Sequence, residues 1–330
     1  MSYITGICMD LEAIHALITS ERQAVDREIN LRLQSPIALI NQVGAYIIHS
    51  GGKRLRPAIV LLSSKAFAYE GQAHIQLATI IEFIHTATLL HDDVVDASQM
   101  RRGQSTANLI WGNEASVLVG DFLYSRAFEM MVEVGSLRVM EILAKTTNTI
   151  AQGEVMQLLN CHDPEITEAH YIAVVRNKTA KLFEAAARLS AVISHQAEPM
   201  ESALATYGTH LGTAFQLIDD VLDYEADTRT LGKNIGDDLA EGKPTLPLIY
   251  ALRKGNTEQR QLLRQAIQNG GLEHIDAVIT AIESTGSIAY TARQAEMEAL
   301  LAKQALAAIP DSPYKQALLD LAHFSVHRDH

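Results

Sequence analysis

Apolar residues recur every three to four positions along most of the chain, which predicts a succession of amphipathic helices. The pattern is modest over residues 10–30. Ser35–Pro36 and Pro57 each introduce an apolar run, and proline is favoured in the first turn of a helix. Further apolar residues at positions 81, 83, 84, 87, 89 and 90 give one helix a buried side. The pattern therefore predicts a mostly helical protein.

Further helices are expected downstream, separated by glycine, proline and polar residues. They are predicted over residues 120–131, over 151–159, and from Thr167 through Lys178–Thr179. Residues 228–247 form one long polar connection, of the kind that often covers a binding site. From Leu248 the helical pattern resumes, with breaks at Gly255–Asn256, at Gly270–Gly271 and over 310–313. No repeat or linker divides the chain, so residues 1–330 are expected to form one domain.

Composition narrows the possible functions. Hydrophobic residues make up 48% of 330 residues, enough for a sizeable helical core. The net charge of −12 argues against a nucleic-acid partner, and a polyanionic substrate would need local basic groups or a metal. The two cysteines, Cys8 and Cys161, suggest reduced thiols. No signal-like or membrane-spanning run is evident, which predicts a cytoplasmic protein without a transmembrane segment.

The helix over positions 81–90 ends in a cluster of carboxylates. Asp92 and Asp96 project from one face, and Asp93 adds a third negative charge. Like charges at this spacing destabilise a helix unless a cation lies between them. A second apolar helix repeats the pattern with Asp219, Asp220 and Asp223.

We interpret the two acidic clusters as halves of one divalent-cation site. Carboxylates that leave coordination positions to water and phosphate oxygens suit Mg²⁺ better than Ca²⁺. Either cluster alone could be a solvated helix end. Because the pattern occurs twice, the sequence favours a metal site.

Basic residues accompany the acidic ones. Ser50–Pro57 reads SGGKRLRP, so Lys53, Arg54 and Arg56 lie at a helix N-terminus, where cations are favourable only if an anion is present. After the first acidic cluster, Arg101–Arg102 supplies two further groups suited to phosphate oxygens. A solvated basic loop is the alternative interpretation.

Together these motifs resemble those of the trans-prenyl diphosphate synthases over nearly the whole chain, and the bacterial octaprenyl diphosphate synthases most of all. The resemblance implies an all-α fold, a single large helical bundle of the isoprenoid synthase type around a deep central cavity. It implies an enzyme that condenses isopentenyl diphosphate with an allylic diphosphate such as farnesyl diphosphate, giving a long all-trans product, octaprenyl diphosphate for a quinone side chain. Mg²⁺, as three ions per site, would assist ionisation to an allylic cation in a homodimer.

The resemblance also assigns roles to residues. Those expected to bind substrate are Lys53, Arg56, His85, Arg101, Arg102, Lys178, Thr179, Gln216, Lys233 and Lys243. Those expected to be catalytic are Asp92, Asp96, Asp219, Lys178 and Gln216, and those expected to hold metal are Asp92, Asp93, Asp96, Asp219, Asp220 and Asp223. From the pattern alone, a histidine on an apolar helix such as His85 is more often a core residue than a ligand.

Product length is expected to depend on a tunnel leading away from Asp92. Ala87 and Thr88 lie about one turn below Asp92, and in the resembling family bulky groups there stop growth early. Their small size leaves room for a long chain. Met130 or Met131 could form the floor of the tunnel, or could simply fill the core.

Three other functions share some of these features. Glu12-x-x-His15 and Glu82-x-x-His85 match the spacing of a di-iron carboxylate protein, which explains neither aspartate cluster nor the basic loop. A non-catalytic subunit of a heteromeric synthase usually has degraded aspartate motifs, and both are intact here. A terpene cyclase would not need the basic loop for a second diphosphate.

Overall fold

The computed structural model describes residues 9–225 and 236–328. These residues are almost entirely helical, which confirms the all-α prediction. The first eight helices are α1 Leu11–Ala16, α2 Thr19–Leu33, α3 Ala38–His49, α4 Leu55–Ala66, α5 Ala73–Val95, α6 Ala107–Trp111, α7 Asn113–Glu133 and α8 Leu137–Asn160. The later ones are α9 Glu168–Val175, α10 Lys181–Ile193, α11 Glu198–Glu225, α12 Asp237–Ala240, α13 Leu246–Lys254, α14 Thr257–Asn269, α15 Ile275–Ser284, α16 Ser287–Ala305 and α17 Pro313–Phe324.

Three short elements complete the description. A five-residue π-helical segment, Arg176–Ala180, joins α9 to α10, and we call it the π-turn. Single 3₁₀ turns occupy Leu272–His274 and Leu306–Ala308. The strands β1 (Met100–Arg101) and β2 (Gln104–Ser105) pair antiparallel, with Met100 opposite Ser105. This hairpin follows α5 and turns the chain so that Arg101 comes back to the end of that helix.

The main core lies where α4, α5 and α10 pack together. Ile59, Ile80 and Leu189 are fully buried there, and Ser190 Oγ donates a hydrogen bond to the Val60 carbonyl at 2.9 Å. This hydrogen bond offsets the free-energy cost of burying the hydroxyl. A separate apolar cluster joins α13, α14 and α15. The predicted breaks between these helices are confirmed, since Asn256 caps α14 and Gly270 ends it in a left-handed conformation. The single-domain interpretation stays a prediction.

Helix α5 is the one described helix with the length and composition of a membrane span. Its 23 residues are long and apolar enough to cross a bilayer by length and composition alone. However, 67% of its apolar window is buried inside the protein. The helix is therefore a core element, and it ends in the first aspartate cluster.

Three glycines bring backbones together around the π-turn. A Cβ on Gly153 of α8 would lie 2.6 Å from the Lys178 nitrogen. On α11, a Cβ on Gly212 would lie 2.6 Å from Ala180 Cα, and one on Gly208 would lie 2.4 Å from the Phe183 carbonyl oxygen. Only residues without a side chain permit these approaches. The π-turn is thus held between α8 and α11 by direct backbone packing.

Candidate active site

A polar cavity of about 210 Å³ lies between the two aspartate-bearing helices. It is lined by Asp92 and Asp96 from α5, Lys178 and Thr179 from the π-turn, Gln216 and Asp220 from α11, together with Arg101, Asp238 and Lys243. Residues far apart in the sequence therefore converge, but of the second acidic cluster only Asp220 lines the cavity, whereas Asp219 and Asp223, also predicted as metal ligands, do not. Asp238 is a further carboxylate that the motif spacing did not reveal.

In the first cluster, each carboxylate faces a basic side chain. Lys178 Nζ lies 3.7 Å from Asp92 Oδ2, and Lys243 Nζ lies 2.8 Å from Asp96 Oδ2. Burial opposes the charge on Lys243, but Asp238 and Asp96 outweigh it and raise its pKa. Burial raises the pKa of Asp92, because the charged carboxylate loses hydration.

Asp93 differs from its two neighbours. Its side chain is fully buried and does not line the cavity. Arg101 contacts its Oδ1 through Nε at 2.8 Å and Nη2 at 2.7 Å. Asp93 thus orients Arg101, which does line the cavity, whereas Asp92 and Asp96 carry the exposed oxygens of this cluster.

The carboxylates of the second cluster also face different surroundings, but here the buried member, Asp220, is the one that lines the cavity. Asp220 is buried and accepts hydrogen bonds from Tyr171 Oη and from Gln216 Nε2, the latter at 2.9 Å. Gln216 also accepts from Thr179 Oγ1 at 3.1 Å, so the amide links the π-turn to α11. Asp219 faces another direction, towards Arg328 Nη2 at 2.5 Å. The third carboxylate, on Asp223, accepts from the Asp238 amide at 3.4 Å.

The basic loop forms a second polar region beside Asp219. Arg102 donates a hydrogen bond to the Gly51 carbonyl, which brings the hairpin onto the loop. Arg56 Nη1 lies 3.2 Å from His85 Nε2, and the guanidinium stacks over Phe183 at 4.4 Å. Arg56 Nε is buried and has no hydrogen-bond partner within the described residues. An unsatisfied buried donor of this kind is suited to an incoming anion.

Electrostatics support an anion site in this region. The pKa of Lys53 is lowered mainly by burial and also by the positive charge of Arg328. Burial and, after it, the positive charge of Arg56 hold the pKa of His85 well below its ordinary value. The His85 ring is therefore neutral near pH 7. A bound diphosphate would stabilise such neighbouring cations, because its negative charge offsets their mutual repulsion.

Arg328 was not anticipated from the sequence, because a lone arginine near the end of the chain carries no motif. Its side chain is 4% exposed and lies over the Phe215 ring at 3.6 Å. It also donates to the Phe215 carbonyl at 2.8 Å. Tyr171, Asp238 and Glu154 were missed for the same reason, since only the fold brings them to the site. Lys233 lies outside the described residues.

An apolar cleft of about 1210 Å³ adjoins the polar cavity. The two share Asp92, Asp96 and Gln157 in their walls. The cleft runs between α5, α7 and α8 and is lined along its length by Thr88, Tyr124, Phe128, Thr147, Ile150, Val155 and Leu158. Its volume exceeds the ~300–1,000 Å³ of ordinary small-ligand sites. A long hydrocarbon is the kind of ligand it would suit.

The predicted length-controlling residues divide between cleft and core. Thr88 lines the cleft, as the tunnel interpretation expects. Ala87, Met130 and Met131 are not among the lining residues and are at most 1% exposed, within the main core. The structure thus places the cleft partly against α8, a helix to which the tunnel interpretation gave no role.

The arrangement of carboxylates fits a metal that shares its ligands with substrate. Within the described ranges, no three His, Cys, Asp or Glu side chains converge to hold an ion by themselves. Asp92 and Asp96 nevertheless expose oxygens to the cavity, and Mg²⁺ commonly takes one or two carboxylates plus phosphate oxygens. Glu82 Oε1 lies 3.9 Å from Arg54 Nε, and His85 Nε2 faces Arg56 Nη1. Both side chains of this E-x-x-H pair therefore contact arginines, which does not favour the di-iron interpretation.

Comparison with known proteins gives a consistent result. The sequence profile of the polyprenyl synthetase family matches residues 37–284. The chain is 53% identical to an octaprenyl diphosphate synthase of Escherichia coli, covering 97% of this chain and 100% of that protein. It is 50% identical to the octaprenyl diphosphate synthase of Haemophilus influenzae, covering 98% of each. A Caulobacter crescentus polyprenyl synthase, solved with calcium and isoprenyl diphosphate, superposes with a TM-score of 0.94 at 42% identity, covering 98% and 99%.

Proposed function

Because the chain belongs to the polyprenyl synthetase family, we propose that it is a chain-elongating trans-prenyltransferase. It condenses isopentenyl diphosphate with an allylic diphosphate, head to tail and repeatedly. The octaprenyl diphosphate synthases at 50–53% identity support an octaprenyl product.

One observation carries this proposal: a cavity bordered by both aspartate clusters opens beside a large apolar cleft. Such a pairing suits a substrate with a diphosphate head and a growing hydrocarbon tail. The separate basic region around Lys53 and Arg56 supports a second diphosphate, which a terpene cyclase would not require. The proposal therefore favours prenyl transfer over cyclisation.

The residues of the site divide the reaction between them. Lys178, Lys243 and Arg101 line the polar cavity and would stabilise the negative charge that develops on the departing allylic diphosphate. Thr179 and Gln216, linked by their hydrogen bond, would orient that diphosphate. We assign Lys53, Arg56, His85 and Arg102 to isopentenyl diphosphate. The proton lost after the new bond forms would go to the released diphosphate.

The metal is proposed to be Mg²⁺, as three ions with diphosphate bound. Asp92, Asp96 and Asp219 would supply ligands from the two clusters. When bound, the metal neutralises the diphosphate and so assists C–O ionisation. The relative solved with calcium and isoprenyl diphosphate supports a divalent cation in this role.

We propose that the enzyme is a cytoplasmic homodimer supplying a quinone side chain. Of seventeen large apolar side chains exposed in the described part of the chain, ten lie on α6, α7 and α8, and seven of these ten do not line the cleft. Leu118 and Leu159 are 66% and 75% exposed. A second copy covering this face would remove them from water. Light scattering at several protein concentrations would test the assembly.

The activity is tested with radiolabelled isopentenyl diphosphate and either farnesyl or geranyl diphosphate as primer. We expect incorporation into a product that separates at octaprenyl length after the diphosphate is removed. Failure to elongate either primer would overturn the proposed reaction. A discrete product of another length would leave the reaction in place and correct the chain length.

A further inference from the structure

Among the described residues, Glu154 on α8 makes the closest charged contact of Lys178, the lysine of the π-turn. Its Oε2 lies 2.5 Å from Lys178 Nζ. The distance from the same ammonium to Asp92 Oδ2 is 3.7 Å. Lys178 is therefore held between two carboxylates from two helices, and it lies nearer to the one that has no place in either aspartate motif.

The contact is built into the packing of α8. Gly153 has no room for a Cβ, because the Lys178 backbone nitrogen would lie 2.6 Å away. Asn177 Nδ2 lies 3.5 Å from Met156 Sδ on the same helix. These contacts fix α8 against the π-turn. The Glu154 side chain, which lies next to them, is therefore held close to Lys178. Both side chains are largely shielded, with exposed fractions of 30% for Glu154 and 18% for Lys178.

The contact between Glu154 and Lys178 is important because Lys178 and the proposed metal ion would both bind Asp92. Under the proposed function, Asp92 ligates the metal, yet among the described residues Lys178 is the nearest basic group to it. An ammonium and a metal ion that compete for the same carboxylate weaken each other's binding, and the competition is stronger in a shielded site than in water. A separate counter-ion for the lysine relieves that competition.

We propose that Glu154 is a positioning residue that holds Lys178 away from Asp92, leaving the Asp92 oxygens available to the metal and the ammonium available to the allylic diphosphate. This inference rests on the proposed prenyl transfer. Glu154 itself does not act on the diphosphate, because the two carry charge of the same sign.

The test measures Mn²⁺ binding to the metal-free protein in the presence of inorganic diphosphate, which supplies the phosphate oxygens, by electron paramagnetic resonance against a protein-free sample, so the result does not depend on turnover. Removing the charge with Glu154→Gln should weaken Mn²⁺ binding about tenfold or more, in the range of other changes to groups that orient metal ligands. Glu141→Gln, an exposed position on the same helix, is the matched control and should change nothing. Circular dichroism checks that each variant is folded.

A second variant separates positioning from a general effect of lost charge. If Lys178 moves onto Asp92 when Glu154 is neutralised, then Glu154→Gln combined with Lys178→Met should restore Mn²⁺ binding towards the wild-type value. Unchanged affinity in Glu154→Gln, or no recovery in the double variant, would overturn the proposal. So would a wild-type protein that binds no Mn²⁺, since Asp92 would not then be available. Prenyl transfer by the wild type, assayed separately, tests the underlying function.

Discussion

Arg54 and Arg56 show how neighbouring residues of one motif take different roles. Arg54 lies in the left-handed conformation at the start of α4, with φ of 47°. It pairs with Asp26 at 3.5 Å and donates to the Ile48 carbonyl at 3.1 Å. Arg56 instead turns towards His85. Arg54 therefore stabilises the loop, whereas Arg56 remains directed towards the proposed isopentenyl diphosphate site.

We expect Lys53→Ala to raise the KM for isopentenyl diphosphate about tenfold or more, with a much smaller effect on the primer. A hydrogen bond to a charged group contributes about 1.5–3 kcal/mol, which is lost for one substrate only. Steady-state kinetics with each substrate varied in turn measures the difference. Arg54→Ala is the control, and should lower the melting temperature without this selectivity. Equal changes in both KM values for Lys53→Ala would contradict the assignment.

His85 predicts part of the pH dependence of stability. Its folded-state pKa is lowered well below 6.5, so below pH 6.5 the unfolded chain takes up a proton that the folded chain does not. Stability should therefore fall as the pH is lowered from 6.5, by at most ~1.4 kcal/mol per pH unit from this group. Denaturant unfolding at several pH values should give a shallower slope for His85→Gln. An identical slope would exclude His85 as the source.

Single residues also show what the sequence could and could not predict. Asp92, Asp96 and Lys53 belong to patterns of charge at fixed spacing, and those patterns exist before folding. Asp93 shares the spacing but turns inward to Arg101, because neighbouring helix positions face different surroundings. Arg328 and Glu154 reach the site only through tertiary packing. The helices were predictable from periodicity, whereas the place of α8 along the cleft depends on how three helices pack.

At the level of elements, α8 contributes more than its sequence suggested. Its Thr147, Ile150 and Val155 form one wall of the cleft opposite α5 and α7. Glu154 and Gly153, on the same helix, contact the π-turn. One helix therefore touches both the hydrocarbon cleft and the lysine of the diphosphate cavity.

Thr88→Phe should shorten the product, because Thr88 lines the cleft one turn from Asp92 and a phenyl ring would obstruct it. Chromatography of the dephosphorylated products measures chain length. Val132→Phe, exposed on α7 and not part of the cleft lining, should leave it unchanged. An unaltered product from Thr88→Phe would mean that the chain grows elsewhere. The sequence predicts that Ala87→Phe also shortens the product. Because Ala87 is fully buried, the added bulk should destabilise the fold, so the stability of this variant is measured before its product length.

On the scale of the whole molecule, the proposed site joins parts of the chain that are distant in sequence. Helices α5 and α11 contribute the two acidic clusters, and the π-turn lies between them. The net charge of −12 would repel diphosphates at long range. Metal and the local basic groups must therefore supply the attraction.

Activity should be lost in EDTA and recovered on adding Mg²⁺. Asp92→Ala and Asp219→Ala should each lower kcat about 100-fold or more with helix content retained, because the leaving diphosphate would lose electrostatic stabilisation. Asp276→Ala, at an exposed position on α15, is the control. Turnover measured with and without chelator tests whether the reaction depends on metal. Full activity in EDTA would remove metal from the mechanism.

The glycine contacts around the π-turn have a consequence for the hierarchy of amide exchange. Gly153, Gly208 and Gly212 bring the backbones of α8 and α11 into direct contact with those of the π-turn and α10. Opening this region would separate backbones packed in direct contact, which requires nearly global unfolding. Among the described residues, amides of α10 and of α11 near Gly212 should therefore be the last to exchange with deuterium. The lysine and threonine of the proposed site would then be carried by one of the slowest-opening parts of the protein.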